Sequence, residues 1–216
     1  MCLSIPSISA YLMPKRDERP ADTVRWTVRP ERAALLIHDM QKFFLTPFGA
    51  RNPLLTELVT NIARLREACA RAGIPVVYTA QPGRMTPEDR GLLADFWGPG
   101  MRSTHADRAI LDELAPRDGD LVLTKWRYSA FHRTDLLAQL RQRDRDQLLV
   151  CGVYAHVGCL ITCCDAFSHD IQPFLIADAI ADFSLQYHQM ALSYAAERCA
   201  ATPETHTVHA AITTQQ

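Results

Sequence analysis

Four positions along this 216-residue chain carry groups able to do chemistry together, and each lies at or just beyond the end of a short apolar run. Asp39 follows Ala33–His38, Gln81 follows Pro75–Thr79, Lys125 follows Leu121–Thr124, and the turn Tyr154-Ala155-His156-Val157-Gly158 follows Gln147–Gly152. A carboxyl group, an amide, an amine and a turn with accessible backbone suit hydrolysis. The acid moves a proton, the amine fixes charge, and the amide and backbone hold substrate oxygens. Each residue alone has a plainer reading. An Asp after a strand commonly caps a helix or makes a turn, and Asp39 with Lys125 can be a structural ion pair. Convergence on one rim is what points to a crevice.

For these positions to meet, the apolar runs must lie side by side and parallel. Ala33-Ala34-Leu35-Leu36-Ile37-His38 is apolar on both faces, as a strand buried in a parallel sheet requires. Residues 54–72 place Leu55, Leu58, Val59, Ile62, Leu65 and Cys69 on one helical face, and Gly73 closes that helix. The alternation continues with Leu121–Thr124, a helix from about Thr134 to Arg143, strand Gln147–Gly152 and a helix at about 158–169. Strand Pro173–Ala177, a helix over 184–200 and a last strand near Thr207-Val208-His209 complete it. Five to six strands alternating with helices predict a three-layer open parallel sheet, helices on both faces, in the Rossmann-like manner. Residues 1–30, punctuated by Pro6, Pro14, Pro20 and Pro30, read as an arm over a single domain spanning 31–216. In such sheets ligands bind beyond the carboxyl ends of the strands, where all four positions fall.

Composition narrows the classes. Net charge is −1 and no basic block occurs, so nucleic acid and anionic membranes are not expected partners. The apolar runs are strand-length, too short to span a bilayer, and Met1–Pro20 lacks the pattern of a signal peptide. The seven cysteines (Cys2, Cys69, Cys151, Cys159, Cys163, Cys164 and Cys199) form no C-x-x-C pair. They read as small reduced hydrophobes of a cytoplasmic protein. Neither His38 nor His156 stands at metal-ligand spacing; both read as buried neutral histidines.

Longer blocks surround the candidate residues. Leu36-Ile37-His38-Asp39-Met40-Gln41, Thr124-Lys125-Trp126-Arg127-Tyr128-Ser129-Ala130-Phe131 and Cys151-Gly152-Val153-Tyr154-Ala155-His156-Val157-Gly158-Cys159 resemble the isochorismatase-like hydrolases. So do Asp165-Ala166-Phe167, Ile171-Gln172-Pro173-Phe174 and the segment Ala177–Ser184. Tyr78–Gly83 and Asp95–Met101 resemble the phenazine-pathway branch most. The resemblance runs over about residues 25–200 and implies that family's fold, a chorismate-derived small-molecule substrate, no cofactor or metal, and a homodimer. Amidases of the family use an Asp-Lys-Cys triad, whose cysteine position falls here on Gly158. Cys159 is next door, but one helical residue turns a side chain by about 100°, so it reads as packing.

Without a thiolate there is no covalent route for amide hydrolysis. The resemblance implies instead cleavage of an enolpyruvyl vinyl ether, by protonation of the terminal methylene carbon and capture of the oxocarbenium ion by water. Asp39 is the expected general acid, with a pKa raised by apolar surroundings and substrate carboxylates, and Lys125 is expected to orient Asp39 and a substrate oxygen. Gln81 and Arg90 are expected to hold substrate carboxylate, as are Tyr154 and the backbone N–H of Gly158 at a helix N-terminus. Phe43, Trp97 and Tyr128 form an apolar wall. Arg90 can equally be a solvated helix residue, and each aromatic plain core. Three other readings remain: a siderophore-type isochorismatase, disfavoured in its bifunctional form because no carrier domain fits after the last helix; a cysteine amidase, disfavoured by Gly158; and a non-catalytic binding protein, which would be marked by loss of Asp39 or Lys125.

Overall fold

The computed structural model describes residues 5–214, so Cys2 and the start of the arm lie outside it. Five strands form the sheet: β1 (Ala33–His38), β2 (Val76–Ala80), β3 (Leu121–Thr124), β4 (Gln147–Val153) and β5 (Gln172–Ala181). Their order is β3-β2-β1-β4-β5, and every pairing is parallel. Among the helices are α1 (Pro53–Arg71), α2 (Leu93–Trp97), α3 (Leu136–Gln142), α4 (Leu160–Ser168), α5 (Leu185–Arg198) and α6 (Thr205–Thr213).

The period-two rule of strands sorts the core. In β1, Leu35 and Ile37 join a cluster with Leu58, Ile62 and Leu65 of α1 and Val208 and Ile212 of α6. Their neighbours Ala34 and Leu36 join Leu140 of α3, Cys163 of α4 and Leu192 of α5 on the other face. The three-layer expectation therefore holds. Helix α1 starts on Asn52, whose side chain accepts the Leu54 N–H, and is followed by Gly73 at φ 66° as a helix-closing glycine should be.

One expected strand is absent: Thr207-Val208-His209 lies inside α6. The β-branched residues suggested extension, but the buried positions Thr205, Val208 and Ile212 recur at helical spacing, and packing against α1 wins over propensity. No helix among the described residues is long and apolar enough to cross a membrane.

The arm is stitched to the far end of the chain. Ile8, Met13 and Val28 are buried in the α1-side core. Thr23 N–H donates to Ala196 O at 2.9 Å, Arg19 Nη1 donates to Thr202 O at 2.8 Å, and the Arg19 guanidinium pairs with Glu204 at 2.8 Å. Tyr11 Oη accepts the Asp182 N–H at 2.8 Å and lies 3.1 Å from His188 Nδ1.

Candidate active site

The chain builds β1, β2 and β3 outward in one direction, then returns to lay β4 against β1. Ligand crevices form at such a switch point, and His38 of β1 pairs there with Gly152 of β4. Gly152 has φ 113°, and a Cβ on it would sit 2.2 Å from His38 O, so only glycine lets the strands approach this closely. Asp39 follows with φ 51°, a left-handed conformation Asp tolerates better than most residues. It faces a cavity of about 260 Å³ beyond the strand ends.

The Asp39 carboxylate is buried and fully engaged. Thr79 Oγ1 donates to Oδ1 at 2.7 Å and accepts the Asp39 N–H at 3.1 Å. Lys125 Nζ lies 2.9 Å from Oδ2, and Gln81 Nε2 donates to the same oxygen at 3.3 Å. Burial is the largest single influence and favours the neutral acid, but the Lys125 charge, His38 and the Thr79 hydrogen bond together outweigh it. Asp39 therefore sits below the ordinary carboxylate range, an anion in the ligand-free protein. Burial pushes His38 down as well, although the Asp39 charge beside it acts the other way. This corrects the expected raised pKa of Asp39.

Lys125 is spoken for. Its three donors face Asp39 Oδ2, Arg127 O at 2.7 Å and Tyr128 O at 3.4 Å, leaving none for the substrate oxygen it was expected to orient. Gln81 is held through its backbone: Gln41 Nε2 donates to Gln81 O at 3.0 Å, and Gln81 N–H donates to Gln41 Oε1 at 2.7 Å. Neither Gln41 nor Thr79 was singled out in the sequence, although both stand within the blocks carrying the resemblance.

Arg90 is no solvated helix residue. It is 7% exposed and lines the cavity, with Nε donating to Gly98 O at 2.9 Å and Nη2 to Trp97 O at 3.3 Å. No carboxylate pairs with it among the described residues, which suits an anion subsite. Tyr128 lies beside it: its hydroxyl accepts Trp97 Nε1–H at 2.8 Å, so its own proton is free for a ligand. Tyr128 thus brings a donor where only an apolar wall was expected. Phe43 and Trp97 line the cavity as anticipated, and Phe183, Met101 and Ile5 of the arm, not singled out in the sequence, line it too.

Tyr154 and Gly158 line the cavity as well, but the donors expected to grip the substrate are engaged within the protein. Tyr154 Oη donates to Phe44 O at 2.5 Å. The turn Ala155–Cys159 is wound as a π-helix, and within it Gly158 N–H donates to Tyr154 O at 3.1 Å. Gly158 is several residues inside the turn rather than at its open end, so its N–H has an internal partner. What Gly158 contributes is space: a Cβ there would stand 2.1 Å from His38 Cε1. The His38 ring fills the place where a residue-158 side chain would project, its Nδ1 donating to Val153 O at 2.8 Å. Cys159 is fully buried, away from the cavity, with its thiol pushed well up by burial. His156 bonds the Asp182 carboxylate at 2.7 Å and stacks on Tyr187 outside the cavity, rather than being buried as expected.

Comparison with known proteins adds independent weight. The Isochorismatase domain family matches residues 33–207. The chain is 59% identical over 196 residues to the phenazine biosynthesis protein PhzD1 of Pseudomonas aeruginosa, covering 91% of this chain and 94% of that one. It is 56% identical over 200 residues to an isochorismatase of Bacillus subtilis, covering 93% of this chain but only 64% of the relative's length. Among solved structures, a cysteine hydrolase from Pseudomonas syringae superposes with a TM-score of 0.82 at 28% identity, covering 92% of this chain and 99% of that one. That protein is named for a cysteine, whereas this chain has glycine at 158 with no room for a side chain beside His38. On a match that spans most of its length, this chain belongs to the isochorismatase family of hydrolases.

Proposed function

We propose that this enzyme hydrolyses the enolpyruvyl vinyl ether of 2-amino-2-deoxyisochorismate to trans-2,3-dihydro-3-hydroxyanthranilate and pyruvate, in phenazine or related biosynthesis, and acts on isochorismate too. The observation that carries the reading is the cavity's charge: one buried carboxylate, Asp39, and two buried cations, Arg90 and Lys125, with no thiol among its lining residues. A relative named for phenazine biosynthesis supports the amino substrate, and a relative named isochorismatase supports the hydroxyl one.

Asp39 must collect a proton before it can donate one. A carboxylate-bearing substrate beside it adds negative charge and raises its pKa, so the proton enters with the substrate. Asp39 then protonates the methylene carbon, and water attacks the adjacent oxocarbenium carbon. The carboxylate takes the proton that water sheds, and the hemiketal collapses to pyruvate and the ring alcohol. Lys125 and Thr79 hold the carboxylate in place through both transfers, and Gln81 meets the substrate with its remaining polar atoms. The enzyme works as a cytoplasmic homodimer on a free small molecule, with no resident cofactor.

The test is a quantitative comparison of both substrates. Either pairs with the site through the same enolpyruvyl group and ring carboxylate, and one changed hydrogen bond is worth about 0.5–1.5 kcal/mol. The expected preference for the amino compound in kcat/KM is therefore a few-fold to about tenfold. Turnover of isochorismate alone would move the enzyme to a siderophore-type role, and cleavage of nicotinamide instead of either would overturn the vinyl-ether chemistry.

Two further outcomes follow. Tyr128→Phe removes the free donor beside Arg90. It raises KM for the carboxylate substrate by about tenfold, the worth of a hydrogen bond to a charged group, with a smaller change in kcat. An unchanged KM would remove Tyr128 from the anion subsite. Cys159→Ala keeps wild-type turnover, with or without a metal chelator, and no acyl-enzyme mass accumulates. An acyl adduct, or chelator inactivation reversed by metal, would contradict the non-covalent route.

A further inference from the structure

The six described cysteines are free, and they divide into two kinds. Cys69, Cys151, Cys159 and Cys163 are fully buried packing residues whose thiols are pushed up by burial. Cys164 and Cys199 differ. Cys163 points into the core from α4, and Cys164, one residue on, is turned away and half-buried. Cys199 sits just past the last turn of α5, at φ −147° and outside the regular helix. The two sulfurs, one on α4 and one just beyond α5, are 35 residues apart in sequence and lie 3.8 Å from each other. Neither residue lines the substrate cavity, and nothing in the hydrolysis uses them.

We propose that Cys164 and Cys199 form a thiol–disulfide exchange site for low-molecular-weight disulfides, with Cys164 as the attacking sulfur and Cys199 as the resolving one. The geometry supports each assignment. Cys164 is reachable from solvent, while Cys199 is 7% exposed and meets an incoming reagent only through its neighbour. The hydrogen bond between the two sulfurs favours the thiolate at the more exposed Cys164, bringing it down to about 7 and leaving Cys199 raised. A thiol with pKa near ambient pH is the most effective attacker. A disulfide needs the sulfurs about 2.05 Å apart, and the residue that must move, Cys199, already lies beyond its helix.

The chemistry balances in two exchanges. The Cys164 thiolate attacks one sulfur of the external disulfide, whose S–S bond breaks to release one thiolate, giving a mixed disulfide on Cys164. Cys199 loses its proton to solvent and attacks the Cys164 sulfur, expelling the second thiolate. Two protein thiols are oxidised, and one external disulfide is reduced to two small thiols. The new bond ties α4 to the end of α5 and closes a long loop in the unfolded chain.

The test incubates the full-length protein with oxidised glutathione near pH 7.5. A Cys164–Cys199 crosslink is expected on peptide mapping, with a mass loss of about two hydrogens. Closing a loop of this length raises Tm by about 8–15 °C, turnover stays within about twofold, and dithiothreitol reverses all of it. Cys199→Ser halts the reaction at a glutathione adduct on Cys164, and Cys164→Ser takes up no glutathione at Cys199. Unmodified thiols after incubation, an unresolved adduct in the wild type, or a crosslink between other cysteines would each overturn the proposal.

Discussion

Asp39→Asn retains substrate binding and loses turnover by about 10²–10⁴-fold, the range expected when a general acid is removed. Asn is the informative replacement because it accepts the left-handed backbone at φ 51° and offers Thr79 and Lys125 a group of the same shape. Either variant removes the counter-ion of Lys125, but Asp39→Ala would also strain that conformation and take away the acceptor oxygen that Thr79 and Lys125 share. Binding is expected to hold or tighten, since removing the one anion among the lining residues leaves a net positive cavity for an anionic substrate, with Arg90 to meet it. The pH profile supplies the second half of this result. Asp39 is ionised in the free enzyme because its pKa is lowered, yet it must be protonated in the productive complex. In wild type, kcat/KM therefore falls about tenfold for each unit rise in pH across the neutral range, while kcat, set by the complex, falls only at higher pH. A kcat/KM independent of pH between 6 and 8, or near-normal turnover by Asp39→Asn, would remove Asp39 from the proton-donor role.

Gly158→Ala disables the enzyme without replacing any ionisable group. The added methyl would lie 2.1 Å from His38 Cε1 and 2.7 Å from Nε2, closer than side chains pack, so the imidazole must leave. His38 precedes Asp39 directly and is fastened to Val153 O. Displacing it shifts the carboxylate that Thr79 and Lys125 hold. A displacement of about 1 Å costs on the order of 10²-fold in rate. Overpacking a filled core adds about 1–3 kcal/mol of destabilisation, a fall in Tm of roughly 2–12 °C. The double variant His38→Ala with Gly158→Ala separates this cause from helix propensity, because with the ring gone the methyl has room. Its Tm is expected to exceed the value obtained by adding the two single losses. Strict additivity would show that the two side chains do not compete for space.

Sequence reasoning carried the sheet well because hydrophobic periodicity and strand-end chemistry are local signals. Asp39, Gln81 and Lys125 could be placed on one rim from their positions after apolar runs alone. What failed was whatever depends on winding and long-range partners. Nothing local in Tyr154–Gly158 announces a π-wound turn, so Gly158 was read as an open donor when its N–H is already paired. Tyr154 looks like a ligand contact until Phe44 O, 110 residues away, takes its proton. Arg90 sits in a polar stretch, Pro87-Glu88-Asp89-Arg90, whose composition reads as surface; only the carbonyls of Trp97 and Gly98 draw it inward. The sign of the Asp39 pKa shift was likewise beyond local reading, since it depends on the distance to Lys125.

The stitched arm also bears on how the enzyme comes to exist in the cell. A ribosome delivers the N-terminal residues first, but Tyr11, Arg19 and Thr23 find their partners at Asp182, His188, Ala196, Thr202 and Glu204. Those partners emerge 171 to 185 residues later, and contacts so distant in sequence close slowly. Ile5, which lines the cavity, belongs to the same early segment. The arm is therefore held in full only once residues 182–204 have been made, and a nascent polypeptide carrying every strand through β4 still lacks these partners and the Phe183 side of the cavity wall.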